Sequence, residues 1–297
     1  MKDFRGKTAF ITGGGSGIGL ATAKALAGKG ARLILADIDQ GRAEEAAKAV
    51  RALGAEAMPI TFNVAEEAEW ARAGEAAKAF GDVRLLFSNA GVGGGAGKFE
   101  AYDTEVWRWN YAVNVHAQLY ACRTFLGDMK AAGEPAHLVI TSSMVGIVPS
   151  PASVAYISSK FASFGIAMSL RNELQDTGVG ISVLCPGMSA TRIVRTTREL
   201  RPGLQEGGAA AETSAAMDNV LAAGMSPGAI GRRVVEGVEN GEFYIFTHPE
   251  WKRLAEPQIA EMMAAFGESA DPSYGGDDIA SLLAANGVRR MNASVAS

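Results

Sequence analysis

Thr8-Ala9-Phe10-Ile11-Thr12-Gly13-Gly14-Gly15-Ser16-Gly17-Ile18-Gly19 is the stretch that decides the fold. A short apolar run ends in clustered glycines, and Ala21 to Leu26 continues as an Ala-rich helix. The glycines at 13, 17 and 19 fit Gly-x-x-x-Gly-x-Gly rather than Gly-x-Gly-x-x-Gly. Such glycines let the backbone turn sharply and approach a pyrophosphate. The helix that follows points its amino end at negative charge. A glycine cluster can be only a tight turn, but its place after a first strand and before a helix favours a nucleotide site, with Ser16 and Ile18 inside it. No Lys directly follows the last glycine, so the Walker pattern is absent.

Outward from this turn, strands and helices alternate. Apolar runs at Arg32–Ala36, Ala57–Phe62, Val83–Ser88, His137–Ser142 and Ile181–Cys185 read as strands. Between them, helices are expected over about Gly41–Leu53, Glu66–Phe80, Thr104–Ala131 and Ala152–Thr177. The strand runs are continuously apolar, as a sheet buried on both faces requires. Repeated units of this length imply parallel strands with right-handed crossovers. The expected fold is α/β: a doubly wound, Rossmann-type parallel sheet of about seven strands, with Phe243–Phe246 the last. One catalytic domain is expected over residues 1–268, with no linker or internal repeat, followed by a polar tail at 269–297. That tail carries a small apolar patch at Ile279–Leu283. Residues from about 190 to 227 lack a strand and follow the carboxyl end of strand six, where they read as a lid over substrate. Arg192, Arg195, Arg198 and Arg201 recur there every third residue, as a solvated helical face would.

Composition narrows the function. The net charge of −4 offers no footprint for nucleic acid. No apolar run approaches a membrane span, and the N-terminus leads straight into a strand, so neither membrane nor signal peptide is expected. Cys122 and Cys185 lie far apart and read as core residues of a reduced, cytoplasmic protein. His116, His137 and His248 have no ligand spacing with Cys or acidic partners, so no catalytic metal is expected.

Two positions carry the chemistry. Asp37 ends the second strand, eighteen residues after Gly19. A carboxylate there accepts from adenosine ribose hydroxyls and repels a 2′-phosphate, which favours NAD over NADP. Arg42 on the next helix keeps NADP as the alternative, and a helix N-cap is the plain alternative for Asp37. Tyr156 and Lys160 stand four residues apart, on one helical face. An ammonium beside a phenol lowers the phenol's pKa and makes it a proton donor and acceptor near neutral pH. Alone, the pair reads equally as a half-buried Tyr beside a surface Lys. Ser143, thirteen residues upstream, supplies the context, and spacing selects it over its neighbour Ser142.

Together these features resemble the short-chain dehydrogenase/reductase family over about residues 5–250. The glycine turn Thr12–Gly19, Asn89-Ala90-Gly91, Asn114, Ser143, Tyr156-x-x-x-Lys160 and Pro186-Gly187 fall in family order. The resemblance implies that Tyr156 is the general acid/base and Ser143 holds the substrate oxygen. It implies that Lys160 grips the nicotinamide ribose and depresses the Tyr156 pKa, and that Asn114 anchors a water relay. It further implies cofactor contacts at Asn63-Val64, Asn89, Ala90, Gly91, Pro186, Gly187 and Thr191. Asn63 stands where the family usually has Asp, and Ser88 where it has Asn. Pairing of the long helix and the Tyr156 helix with a second subunit is implied too, as a homodimer or homotetramer.

The substrate wall is expected from Val92, Met144, Val145, Met188 and Ile193, mostly apolar groups suited to a bulky alcohol or ketone. Met1–Phe4 and Phe243–Glu250 resemble bacterial family members that oxidise aryl secondary alcohols, including lignin-derived aryl ethers. Two other readings compete. A dinucleotide sensor or scaffold need not keep Ser143, Tyr156 and Lys160 together. A sugar-nucleotide epimerase or dehydratase needs a larger C-terminal part.

Overall fold

Seven apolar runs form seven parallel strands in a computed structural model: β1 (Thr8–Thr12), β2 (Arg32–Asp37), β3 (Ala57–Thr61), β4 (Val83–Ser88), β5 (Ala136–Thr141), β6 (Val179–Cys185) and β7 (Tyr244–Phe246). The structure describes residues 1–95, 98–150, 153–201, 203, 219–267, 271 and 273–285. The strand order is β3-β2-β1-β4-β5-β6-β7. The winding reverses between β1 and β4, so a crevice opens at their carboxyl ends.

The helices are α1 (Gly17–Ala27), α2 (Gln40–Arg51), α3 (Glu67–Phe80), α4 (Thr104–Tyr111), α5 (Ala117–Ala131), α6 (Val154–Glu173), α7 (Ile193–Leu200), α8 (Pro227–Asn240), α9 (Lys252–Ala264) and α10 (Ile279–Ala285). The long helix expected over Thr104–Ala131 is interrupted: a π turn at Ala112–His116 joins α4 to α5. Such turns insert an extra residue and often mark functional sites. Asp103 starts α4 by accepting the N–H groups of Glu105 and Val106.

Strand side chains alternate between two cores. On one face Phe10, Ile34, Leu86 and Leu138 meet Trp70 and Phe125 from α3 and α5. The Phe10 ring lies 4.7 Å from that of Phe125. On the other face Ile11, Leu33, Leu35 and Val139 meet Leu26 of α1, Val50 of α2 and Val234 of α8. Helices α1 and α8 approach very closely. A Cβ on Gly231 would stand 2.6 Å from backbone atoms of Ala21 and Thr22. Backbone cannot yield as a side chain does, so Gly231→Ala is expected to cost about 1–3 kcal/mol. Urea unfolding checks this: the midpoint falls while the slope stays unchanged.

Of the expected lid, α7 and the stretch around a bridge between Ser189 and Met225 are described, whereas 202 and 204–218 lie outside the described residues. In the tail, the apolar patch falls on α10, and 286–297 lie outside the described residues. Among the described residues no helix is long and apolar enough to cross a membrane.

Candidate active site

The glycine turn closes against its own backbone. Gly13 and Gly17 have φ of 62° and 52°, a region that favours glycine. A Cβ on Gly19 would sit 2.3 Å from the Gly13 carbonyl oxygen, and one on Gly15 would sit 2.7 Å from Asp37 Oδ2. Ser16 precedes α1 without capping it, so its hydroxyl leaves the amino end of that helix to another group. Asp37 is buried and accepts the N–H groups of Gly15 and Asp39, each at 3.1 Å. Asp39, not Asp37, caps α2. Arg42 lies 3.5 Å from Asp37, 3.6 Å from Asp39 and 3.7 Å from Glu199 of α7.

A cleft of about 330 Å³ runs from this turn to the end of β5. It is lined by Gly13, Ser16, Gly17, Ile18 and Asp37 at one end, with Asn63 and Val64 beside them. Asn89, Ala90 and Gly91 form its middle; Tyr156, Lys160, Pro186, Gly187 and Thr191 lie toward the other end. The glycine cradle, the uncapped helix end and the buried acid suit a dinucleotide with its pyrophosphate at α1 and its adenosine ribose at Asp37. Asn89 also ties β4 to β1: its amide donates to the Thr12 carbonyl at 3.0 Å, and the Thr12 hydroxyl accepts the Asn89 and Ala90 N–H groups.

At the reactive end, Ser143 and not Ser142 is the hydroxyl that acts on the Tyr156 phenol. Ser142 instead donates to the Lys160 carbonyl at 2.7 Å, inside the core. Lys160 is 2% exposed, with Nζ 3.2 Å from the Thr141 carbonyl and 5.6 Å from the Tyr156 ring centre. Burial pushes the Tyr156 phenol up from its ordinary pKa, and the Ser143 hydroxyl acts in the opposite direction. Burial likewise lowers Lys160 to about 8. Desolvation is the largest influence on both groups.

Asn114 sits in the π turn and is fully buried. Its Oδ1 accepts the Val92 N–H at 2.9 Å, and its Nδ2 donates to the Val92 carbonyl and to Ser159 Oγ, each at 2.9 Å. Both amide atoms clamp the backbone that leaves β4, and neither bonds Lys160.

The substrate wall differs from expectation. Val92 and Ile193 line the cleft, joined by Trp109, Val113, Leu200 and Leu221. Met144, Val145 and Met188 do not line it. Met144 is drawn into the core by a 3-10 turn, Val145 lies on that turn, and Met188 is half exposed. Sequence reasoning also missed Thr141 and His248. Their signal is faint, because each acts through a backbone atom of a segment remote in sequence. Among the described residues no cluster of three or more His, Cys, Asp or Glu could hold a metal.

Comparison with known proteins agrees with this geometry. Residues 7–202 match the short chain dehydrogenase family. The chain belongs to that family, which makes it an oxidoreductase working with a nicotinamide dinucleotide. It is 29% identical over 292 residues to the C alpha-dehydrogenase of Sphingobium sp. (strain NBRC 103272 / SYK-6), covering 96% of this chain and 94% of that protein. It is 33% identical over 246 residues to the 1-deoxy-11-beta-hydroxypentalenate dehydrogenase of Streptomyces exfoliatus, covering 82% and 84%. A short chain dehydrogenase/reductase from Burkholderia phymatum, crystallised with NAD, aligns with a TM-score of 0.84 at 30% identity, over 92% of this chain and all (100%) of that one.

Proposed function

We infer that the chain interconverts a secondary alcohol and a ketone with NAD, using Tyr156 as general acid/base. The observation that carries this reading is that Ser143, Tyr156 and buried Lys160 line one end of a cleft suited to a dinucleotide, with Lys160 Nζ 5.6 Å from the Tyr156 ring centre. The nicotinamide supplies the two-electron hydride acceptor or donor. Ser143 holds the substrate oxygen, and Tyr156 takes its proton in oxidation or returns it in reduction. Lys160 holds the nicotinamide ribose. Asn114 supports the site by fixing Val92, and a relay water on the Lys160 side belongs to the same proposal.

NAD rather than NADP is supported at the adenosine end. Asp37 is buried there, and Arg42 is already shared among Asp37, Asp39 and Glu199. A 2′-phosphate would meet those carboxylates before it met a free guanidinium. The apolar wall of Val92, Trp109, Val113, Ile193, Leu200 and Leu221 suits a bulky or aryl substrate. Similarity to a C alpha-dehydrogenase points the same way. Exposed Leu119 on α5, with Phe161 and Met168 on α6, supports pairing with a second copy.

Reduced-cofactor absorbance, followed with NAD and NADP against aryl and aliphatic secondary alcohols, tests the reading. Turnover with NAD is expected, and Asp37→Ala narrows the preference for NAD over NADP. A wild-type preference for NADP contradicts the Asp37 assignment. Binding of either dinucleotide without turnover of any alcohol or ketone favours the sensor reading.

A further inference from the structure

His248 follows β7 and is 7% exposed, yet no step above uses it. Its ring makes two hydrogen bonds to consecutive residues of one backbone segment. Nδ1 accepts the Gly187 N–H at 3.0 Å, and Nε2 lies 2.9 Å from the Met188 carbonyl. A carbonyl only accepts, so Nε2 carries the proton and donates. The Thr247 hydroxyl, 2.7 Å from Nδ1, fits the same tautomer by donating to it. The ring also fills the space a side chain at 187 would need: a Cβ there would stand 2.6 Å from His248 Cγ. Gly187 is thus a glycine because the imidazole lies against it.

The other side of this segment touches the reactive end of the cleft. The Pro186 carbonyl accepts the Met144 N–H at 2.9 Å and the Ser143 hydroxyl at 3.3 Å. Ser189 Oγ donates back to the Gly187 carbonyl at 3.0 Å, and the Met225 N–H donates to the Met188 carbonyl at 2.9 Å. Pro186, Gly187 and Ser189 all line the cleft. One imidazole therefore connects the end of β7 to the partner of Ser143 through two peptide units.

We propose that His248 is a positioning residue for the reactive half of the cleft: it fixes the Pro186–Ser189 backbone, and with it the seat of the nicotinamide and the Ser143 hydroxyl. The adenosine half, built from β1, β2 and α1, does not depend on it. This rests on the cleft holding a nicotinamide dinucleotide as read above. A buried histidine that merely fills space would not distinguish one half of the ligand from the other.

The test compares NAD with ADP-ribose, which lacks the nicotinamide, by calorimetry on the full-length chain. His248→Leu keeps bulk and removes both hydrogen bonds. It should weaken NAD about tenfold, a loss of one modest interaction, while leaving ADP-ribose within about twofold. His248→Asn returns an acceptor to the Gly187 N–H and should recover part of the loss. Equal weakening of both ligands, or no change in either, overturns the proposal. Should the variants fold poorly, 15N-histidine NMR on the unaltered protein decides. The Nε2–H tautomer is expected for His248, with resonances that move on adding NAD and stay put with ADP-ribose. An Nδ1–H tautomer, or equal movement with both ligands, is contrary to it. Wild-type protein that binds ADP-ribose but shows no further contribution from the nicotinamide also overturns it. Wild-type protein that binds neither ligand removes the dinucleotide reading and this proposal together.

Discussion

Tyr156→Phe is expected to lower turnover by about a thousandfold or more, within the range a positioned acid/base contributes, while NAD affinity stays within about twofold. Only the phenolic oxygen is removed. The ring that packs 5.6 Å from Lys160 Nζ remains, and so do the glycine cradle and Asp37. The wild-type pH dependence carries a matching sign. Burial raises the Tyr156 pKa, so at neutral pH the group is a phenol. A phenol is ready to donate, so ketone reduction should run well at neutral pH and fall as pH rises through the phenol's pKa. Alcohol oxidation needs the phenolate and should rise with pH over the same interval. Steady-state rates in both directions across pH, with binding followed by calorimetry, check both parts. Turnover of the Phe variant near the wild-type rate would remove Tyr156 from the chemistry.

Much of this was legible in the sequence because it rests on local pattern. The glycine turn after Phe10-Ile11 and the acid after β2 are read within a few residues, and the structure sets both at the reversal between β1 and β4. Continuous apolar runs identified the strands to within a residue or two; β5 begins one residue earlier, at Ala136, and β6 two residues earlier, at Val179. Spacing favoured Ser143 over Ser142, but nothing in the sequence says that the Ser142 hydroxyl turns to the Lys160 carbonyl. What stayed hidden depends on depth and on distant partners. A Tyr–Lys pair on one helical face suggests mutual charge effects, but it does not show that both groups are buried in α6, where desolvation raises one pKa and lowers the other. Met144 and Met188 follow motif residues and so look like pocket walls, yet a 3-10 turn and a tethered backbone aim them elsewhere. Arg42 meets Glu199, and Gly187 meets His248, across gaps in sequence that no short motif spans.

Lys160→Met is expected to make the ligand-free protein more stable at neutral pH while abolishing efficient turnover. The ammonium is 2% exposed, and burial holds its pKa near 8 instead of the ordinary 10.5. A base whose pKa is lower in the folded state carries a proton there at a cost, on the order of 3 kcal/mol at pH 7. Methionine keeps the apolar stem and removes that cost. It also loses the bond from Nζ to the Thr141 carbonyl, worth about 1 kcal/mol. The net expectation is a gain of about 1–2 kcal/mol, or a few degrees in Tm. The pH dependence separates this cause from simple repacking. Above about 8 the folded wild type releases the proton, while the unfolded chain keeps it until about 10.5. The unfolded state then binds more protons, so wild-type stability rises with pH across that window. From pH 10 upward the raised Tyr156 pKa acts the other way, because the folded state retains a proton that the unfolded chain loses. The methionine variant should lack the rise between pH 8 and 10, so the two proteins converge there. Unfolding midpoints at a series of pH values measure it. A variant less stable than wild type at pH 7 would mean that the contacts of the buried ammonium outweigh its desolvation. A more stable but inactive variant would mean that Lys160 is held in the core at a cost, for what it does to a bound cofactor.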